Sequence, residues 1–181
     1  ISASLVGSEM CIRDRHIDDD QGEIALCILS AVNVGTLKDV NELESLCDLS
    51  VRALDQIIDY QDYPVKAAEV STKARRSLGI GYIGLAHYLA KNNVMYSDAK
   101  AWELVDRLSE AFQYHLLRAS CNLAKEKGKC EGFDRTKYAD GLLPIDHYKK
   151  EIDEIVPHKQ RMAWESLRKD IAKYGLRHST L

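Results

Sequence analysis

An uninterrupted apolar run at residues 24–29, inside the stretch EIALCILSAVNV (residues 23–34), limits most strongly what this chain can fold into. The run shows little polar alternation. That pattern suits a β-strand buried on both faces, as in a parallel sheet covered by helices. Gly35 closes it. Most of the chain beyond Gly35 has helical periodicity instead. Asp39 and Glu42 form a capping-box-like start. Val40, Leu43, Leu46, Cys47, Leu54, Ile57 and Ile58 then fall on one stripe, and residues 59–64 end that helix. Residues 66–76 read as a polar connector, and residues 85–92 as a short helix. Ser97 is placed to cap a long helix running to about Lys127, where Gly128 stops it. Pro144 begins a further helix with Ile145, Tyr148, Ile152 and Ile155 inward. A last one carries Trp164, Leu167 and Ile171 up to Gly175. Residues 176–181 read as a loop or the start of a strand. A strand buried on both faces needs neighbours, and so helical a chain supplies few. The expected fold class is therefore α/β, with this chain a predominantly helical piece of a larger domain.

Composition narrows the classes of function. At 181 residues the chain can bury a sizeable core, and 45% hydrophobic with 29% charged residues is a globular profile. The net charge of −3 argues against a nucleic-acid binder. No apolar run approaches the roughly 20 residues that span a bilayer, and residues 1–7 lack the basic start of a signal peptide. The five cysteines, Cys11, Cys27, Cys47, Cys121 and Cys130, form no CxxC pair, so neither a disulfide framework nor a zinc knuckle is indicated. A reducing, cytoplasmic setting is expected. Residues 1–15 follow neither a helical nor a strand period, and SASLVGSEMCIRDR resembles a translated sequencing adaptor. They are read as non-native or flexible, leaving residues 16–181 as the folded part.

Individual motifs are ambiguous. Gly79-Ile-Gly81-Tyr-Ile-Gly84 matches GxGxxG, with Asp98 downstream as a candidate ribose-binding acid. However, Lys73-Ala-Arg75-Arg76-Ser77 precedes it where an apolar strand is needed. The competing reading is a glycine-bearing strand or turn packed close to other backbone. Cys27 sits inside the strand-like run. By composition it is an inert small hydrophobe, and no partner thiol lies near it in sequence. Cys47, Cys121 and Cys130 read as packing or surface thiols. His115 and Cys121 are wrongly spaced for a shared helix face, so no metal site is expected. Lys73, Arg75 and Arg76 could hold a phosphate but fit a solvated loop better.

Several blocks in order carry more information than any one motif. GEIALCILSAVNVG (residues 22–35), VRALDQIIDYQDYP (51–64), RRSLGIG (75–81), HYLAK (87–91), LPIDHYKK (143–150) and GLRHSTL (175–181) resemble the large, catalytic alpha subunit of class I ribonucleotide reductases, the bacterial class Ia branch most. The resemblance runs from about Asp20 onward. It implies part of a ten-stranded α/β barrel flanked by helices. It also implies reduction of ribonucleoside diphosphates by thiyl-radical chemistry. In that family a metal-containing small subunit supplies the radical. A cysteine pair supplies the reducing equivalents, thioredoxin or glutaredoxin restores the pair, ATP and deoxynucleotides act as effectors, and the large subunit is a homodimer. By residue match Cys27 is the second cysteine of the redox pair.

The family's radical cysteine lies in an Asn-x-Cys-x-Glu motif roughly two dozen residues upstream of the Cys27 position. Cys11, flanked by Glu9 and Arg13, is no substitute for it. The first redox cysteine, the effector loops, the radical-path tyrosines and a phosphate loop just past Leu181 are likewise expected elsewhere. The isolated chain is therefore expected to be inactive and to bind no cofactor or metal. Two other readings stay open: a helical interaction module without chemistry, and a dinucleotide-binding unit at Gly79 to Gly84.

Overall fold

Parallel pairing of two short strands organises the molecule. The computed structural model describes residues 22–154 and 160–181; residues 1–15, Cys11 and Ile155 lie outside that range. Strand β1 (Ile28–Asn33) pairs in parallel with β2 (Leu78–Ile83), with Ile28 opposite Leu78 and Asn33 opposite Ile83. Between them run α1 (Leu43–Tyr60) and α2 (Lys66–Arg75). After β2 come α3 (Leu85–Lys91), α4 (Ala99–Lys127) and α5 (Trp164–Tyr174). A parallel pair needs a long crossover, and α1 and α2 form it. The last residues run beside β2, where the Leu78 N–H donates to the Thr180 carbonyl at 3.1 Å.

The strand prediction needs correction in two respects. Regular pairing starts at Ile28, so residues 24–27 precede the strand. The strand is also not buried on both faces. Val32, Leu78 and the half-buried Ile28, Ile80 and Tyr82 face the core, whereas Leu29 is 73% exposed and Ile83 57% exposed on the opposite face. The physical reason is that α1 and α4 cover only one side of the pair among the described residues.

Helix α1 presents Leu43, Cys47, Val51, Leu54 and Ile58 to that core, against Leu108, Phe112, Leu116 and Leu123 of α4. The opposite side of α4 carries Tyr114, Leu117 and Cys121 to a second cluster with Trp164, Leu167 and Ile171 of α5. Buried on both sides, α4 is the spine of the fold. Glu110 ties the α5 approach to it, accepting from the Arg161 and Met162 N–H groups and from Trp164 Nε1 at 2.7, 3.2 and 3.0 Å.

Other local expectations change as well. Asp39 caps a 3₁₀ turn (Val40–Glu42) ahead of α1, accepting from the Asn41 N–H at 2.7 Å, while Glu42 accepts from the Lys38 N–H rather than closing a capping box. Ile57 is largely exposed. The segment read as a polar connector is helix α2, which buries Ala67, Ala68, Ser71 and Thr72. Small side chains there give an inner face that polarity alone conceals. Asp98, not Ser97, occupies the N-cap position of α4. Between Pro144 and Glu154 the described residues form 3₁₀ turns, Pro144–His147 and Lys150–Glu154, with Ile145 packed against the second cluster and Tyr148 and Ile152 exposed.

Arg76, expected in a solvated loop, is 4% exposed and adopts the left-handed conformation (φ 51°) that ends α2. Its guanidinium meets the fully buried Asp55 at 2.6 Å and Asp59 at 2.8 Å. Asp55 also receives Lys127 at 3.0 Å and Arg177 at 3.2 Å. Burial alone would raise the Asp55 carboxyl, but His178, Lys127 and Arg76 around it outweigh burial and hold it well below the usual carboxylate range. His178 is fully buried. Its Nδ1 bonds Ser120 Oγ at 2.8 Å, and its Nε2 stands 3.3 Å from Asp55 without hydrogen-bond alignment.

Desolvation, aided by Arg76 and Arg177, pushes the His178 pKa down against the pull of Asp55. The folded protein therefore keeps His178 neutral while the unfolded chain takes up a proton near pH 6.5. Stability from this group is present above about pH 6.5 and is lost as pH falls below it. The Asp55 contribution is lost lower still, below about pH 4. Melting temperatures measured from pH 7.5 to 5 should fall, and His178→Asn should reduce the slope. Equal slopes for the two proteins would remove His178 from this account.

Candidate active-site thiol

Cys27 immediately precedes β1 and is exposed. The Ile28 N–H donates to the Ser77 carbonyl at 3.2 Å, which fixes the backbone beside it. Side chains alternate along a strand, so Cys27 shares the uncovered face with Leu29 and Ala31. Its Sγ has one weak hydrogen-bond contact, 3.9 Å to the Ile28 carbonyl. Partial burial pushes its pKa up, with no cation among the causes of the shift. At neutral pH the group is a reachable, protonated thiol. Such a thiol can deliver hydrogen and become half of a disulfide, but it is not preset as a thiolate nucleophile.

The other described cysteines behave differently. Cys47, Cys121 and Cys130 are buried, and burial raises them to about 12, 11 and 11. All four described cysteines are free, so a disulfide partner for Cys27 is not among them. Among the described residues no group of three or more His, Cys, Asp or Glu could hold a metal ion. His115 and Cys121 are both buried on α4.

The glycine motif does not form a phosphate cradle. Gly79 and Gly81 lie within β2, not in a turn after a strand. Gly84 (φ 79°) links β2 to α3, and a Cβ there would stand 2.4 Å from Asn33 Oδ1. Of the three, only Gly84 lies close to other backbone, 3.0 Å from the Gly35 nitrogen at its Cβ position, and the dinucleotide expectation fails on this geometry. The basic cluster is also committed elsewhere. Lys73 pairs with Glu69 at 2.7 Å, Arg75 with Glu23 at 2.5 Å, and Arg76 is buried. Sequence reading missed the role of Asp55. The available signal was an acid in helical phase with Val51 and Ile58, on the buried face of α1.

The chain matches the family described as ribonucleotide reductase, barrel domain, over residues 5–181. It is 59% identical to the ribonucleoside-diphosphate reductase subunit alpha of Haemophilus influenzae over 92% of this chain and 22% of that protein. The subunit alpha of Enterobacteria phage T4 is 42% identical over 100% of this chain and 24% of its own length. That of Escherichia coli (reductase 1) is 52% identical over 68% of this chain and 16% of its own length. The chain thus spans about a fifth of the length of the curated relatives it matches. Among the described residues no helix is long and apolar enough to cross a membrane.

Proposed function

The chain belongs to the ribonucleotide reductase barrel-domain family, and on that premise we propose that it is a segment of a ribonucleoside-diphosphate reductase catalytic subunit in which Cys27 is one of two redox thiols. The observation that carries the role of Cys27 is its position: an exposed, protonated thiol on the uncovered face of a parallel strand pair. In the overall reaction two cysteine thiols give up two protons and two electrons. The ribose C2′–O bond breaks, the 2′-hydroxyl leaves as water, a hydrogen takes its place at C2′, and the two sulfurs join as a disulfide. Cys27 supplies one of those thiols and a cysteine beyond the described residues supplies the other. The raised pKa of Cys27 suits it, because the thiol must arrive carrying its proton.

The same reading assigns the wider partners. They are a metal-containing small subunit that generates the radical, thioredoxin or glutaredoxin as the external dithiol, ATP and deoxynucleotide effectors bound elsewhere, and a second large subunit. A cytoplasmic location follows from dependence on reduced thioredoxin. The test is a single turnover of the full-length enzyme carrying this segment, without thioredoxin, followed by alkylation and peptide mapping. The Cys27 peptide should appear disulfide-linked to another cysteine of the same subunit. Full alkylation of Cys27 after product has formed would end the proposal.

A further inference from the structure

Gly79 stands directly across from Leu29 in the β1–β2 pairing, so its missing side chain would share the open face with Leu29 and Cys27. Glycine weakens a strand and usually needs a local reason. Backbone conformation is not the reason, because among the described residues Gly79 and Gly81 are absent from those with positive φ. Space separates the two. A Cβ on Gly81 would meet nothing within 4 Å. One on Gly79 would stand 2.6 Å from Leu29 Cδ2 and 3.3 Å from Cys27 Sγ. The Leu29 clash is inexpensive, since Cδ2 is the far end of a side chain that is 73% exposed. The Cys27 contact is different. The sulfur is one bond from Cβ, and the adjacent backbone is pinned by the Ile28 to Ser77 hydrogen bond. The thiol yields by turning about χ1, which carries the sulfur a few tenths of an ångström from its place and off its staggered minimum.

We propose that Gly79 is a positioning residue for Cys27: the absence of a side chain there leaves the space that lets the thiol hold its reactive rotamer over the open sheet face. This rests on the reading of Cys27 as a redox thiol. A misplacement of about 1 Å at a reacting group can cost about a hundredfold in rate, so a displacement of a few tenths of an ångström should cost about tenfold.

The test uses the full-length catalytic subunit carrying this segment, with its small subunit, thioredoxin, thioredoxin reductase and NADPH. Gly79→Ala, Gly79→Ala with Leu29→Ala, and Gly81→Ala are compared for kcat, for KM, and for the pH profile of Cys27 alkylation by iodoacetamide. Gly79→Ala should lower kcat about tenfold with little change in KM and should shift the alkylation profile. The double variant, relieved of the leucine clash, should keep both defects, and Gly81→Ala should match the parent. Recovery of the parent rate and profile in the double variant would overturn the proposal, because the glycine would then serve only leucine packing. An equal loss in Gly81→Ala would also overturn it, by showing general intolerance of the strand. Sustained turnover of Cys27→Ser in the same assay would instead remove the redox reading on which it rests.

Discussion

Replacing Asp55 with alanine should cost about 3–5 kcal/mol of stability, read from urea denaturation of the full-length subunit. Asp55 is the one fully buried acid in the cluster that Arg76, Lys127 and Arg177 approach among the described residues. Removing its carboxylate leaves Arg76, itself 4% exposed, with the main-chain carbonyl of residue 55 and with Asp59, whose side chain is 48% exposed, as its remaining acid. A buried charge stripped of its partner is far more costly than the intact pair is favourable. Asp55→Asn keeps the shape and an acceptor oxygen for Arg76 while deleting the charge, so its loss should be intermediate. A change under about 1 kcal/mol for Asp55→Ala would mean that the cluster behaves as a surface ion pair, and the account would be wrong.

The consequences reach the candidate site through a short path. Arg76 is followed by Ser77, whose carbonyl anchors the Ile28 N–H beside Cys27. Ser179, next to His178, donates its N–H to the Arg75 carbonyl at 2.9 Å. One buried acid therefore ties the C-terminal stretch, the end of α2 and the base of β2 together.

Why some of this was readable in the sequence, and some not, depends on the physical origin of each feature. Helices α1, α4 and α5 were legible because each carries an apolar stripe at helical spacing over several turns, and that stripe is the face it buries. Helix α2 was not, because its buried side chains are alanine, serine and threonine, which carry little hydropathy. Among the described residues from Pro144 to Glu154, which have helical spacing, Ile145 packs against the second cluster while Tyr148 and Ile152 stay exposed, so that stripe does not bury as one face. Burial of β1 on a single face depends on which elements cover it, and periodicity does not encode that. Arg76 looked like surface because arginine usually is. Its partner Asp55 lies 21 residues earlier, and only the crossover from α1 through α2 brings them together. Cys27 was singled out by ordered resemblance, not by its own surroundings. Its local chemistry shows an accessible thiol but no partner sulfur.

Cys27→Ser should reduce multiple turnover to background in the full-length enzyme while leaving the fold unchanged. The two halves of that expectation have separate physical grounds. A serine hydroxyl cannot form a disulfide, so the two-electron step loses one of its two donors and cannot be completed or reset by an external dithiol. The fold should not notice, because Cys27 is exposed and its sulfur makes one weak contact, 3.9 Å to the Ile28 carbonyl. Stability should change by no more than about 0.5 kcal/mol. Cys47→Ser supplies the opposite pattern. Cys47 is 0% exposed in the main core, so a hydroxyl there should cost about 1–3 kcal/mol, with the redox step intact in the molecules that remain folded. Deoxynucleotide yield per folded enzyme, measured beside the denaturation midpoint, separates the two. If Cys27→Ser sustained several turnovers, or if both variants lost activity only in proportion to their loss of fold, Cys27 would be a packing residue and its place on the open face incidental.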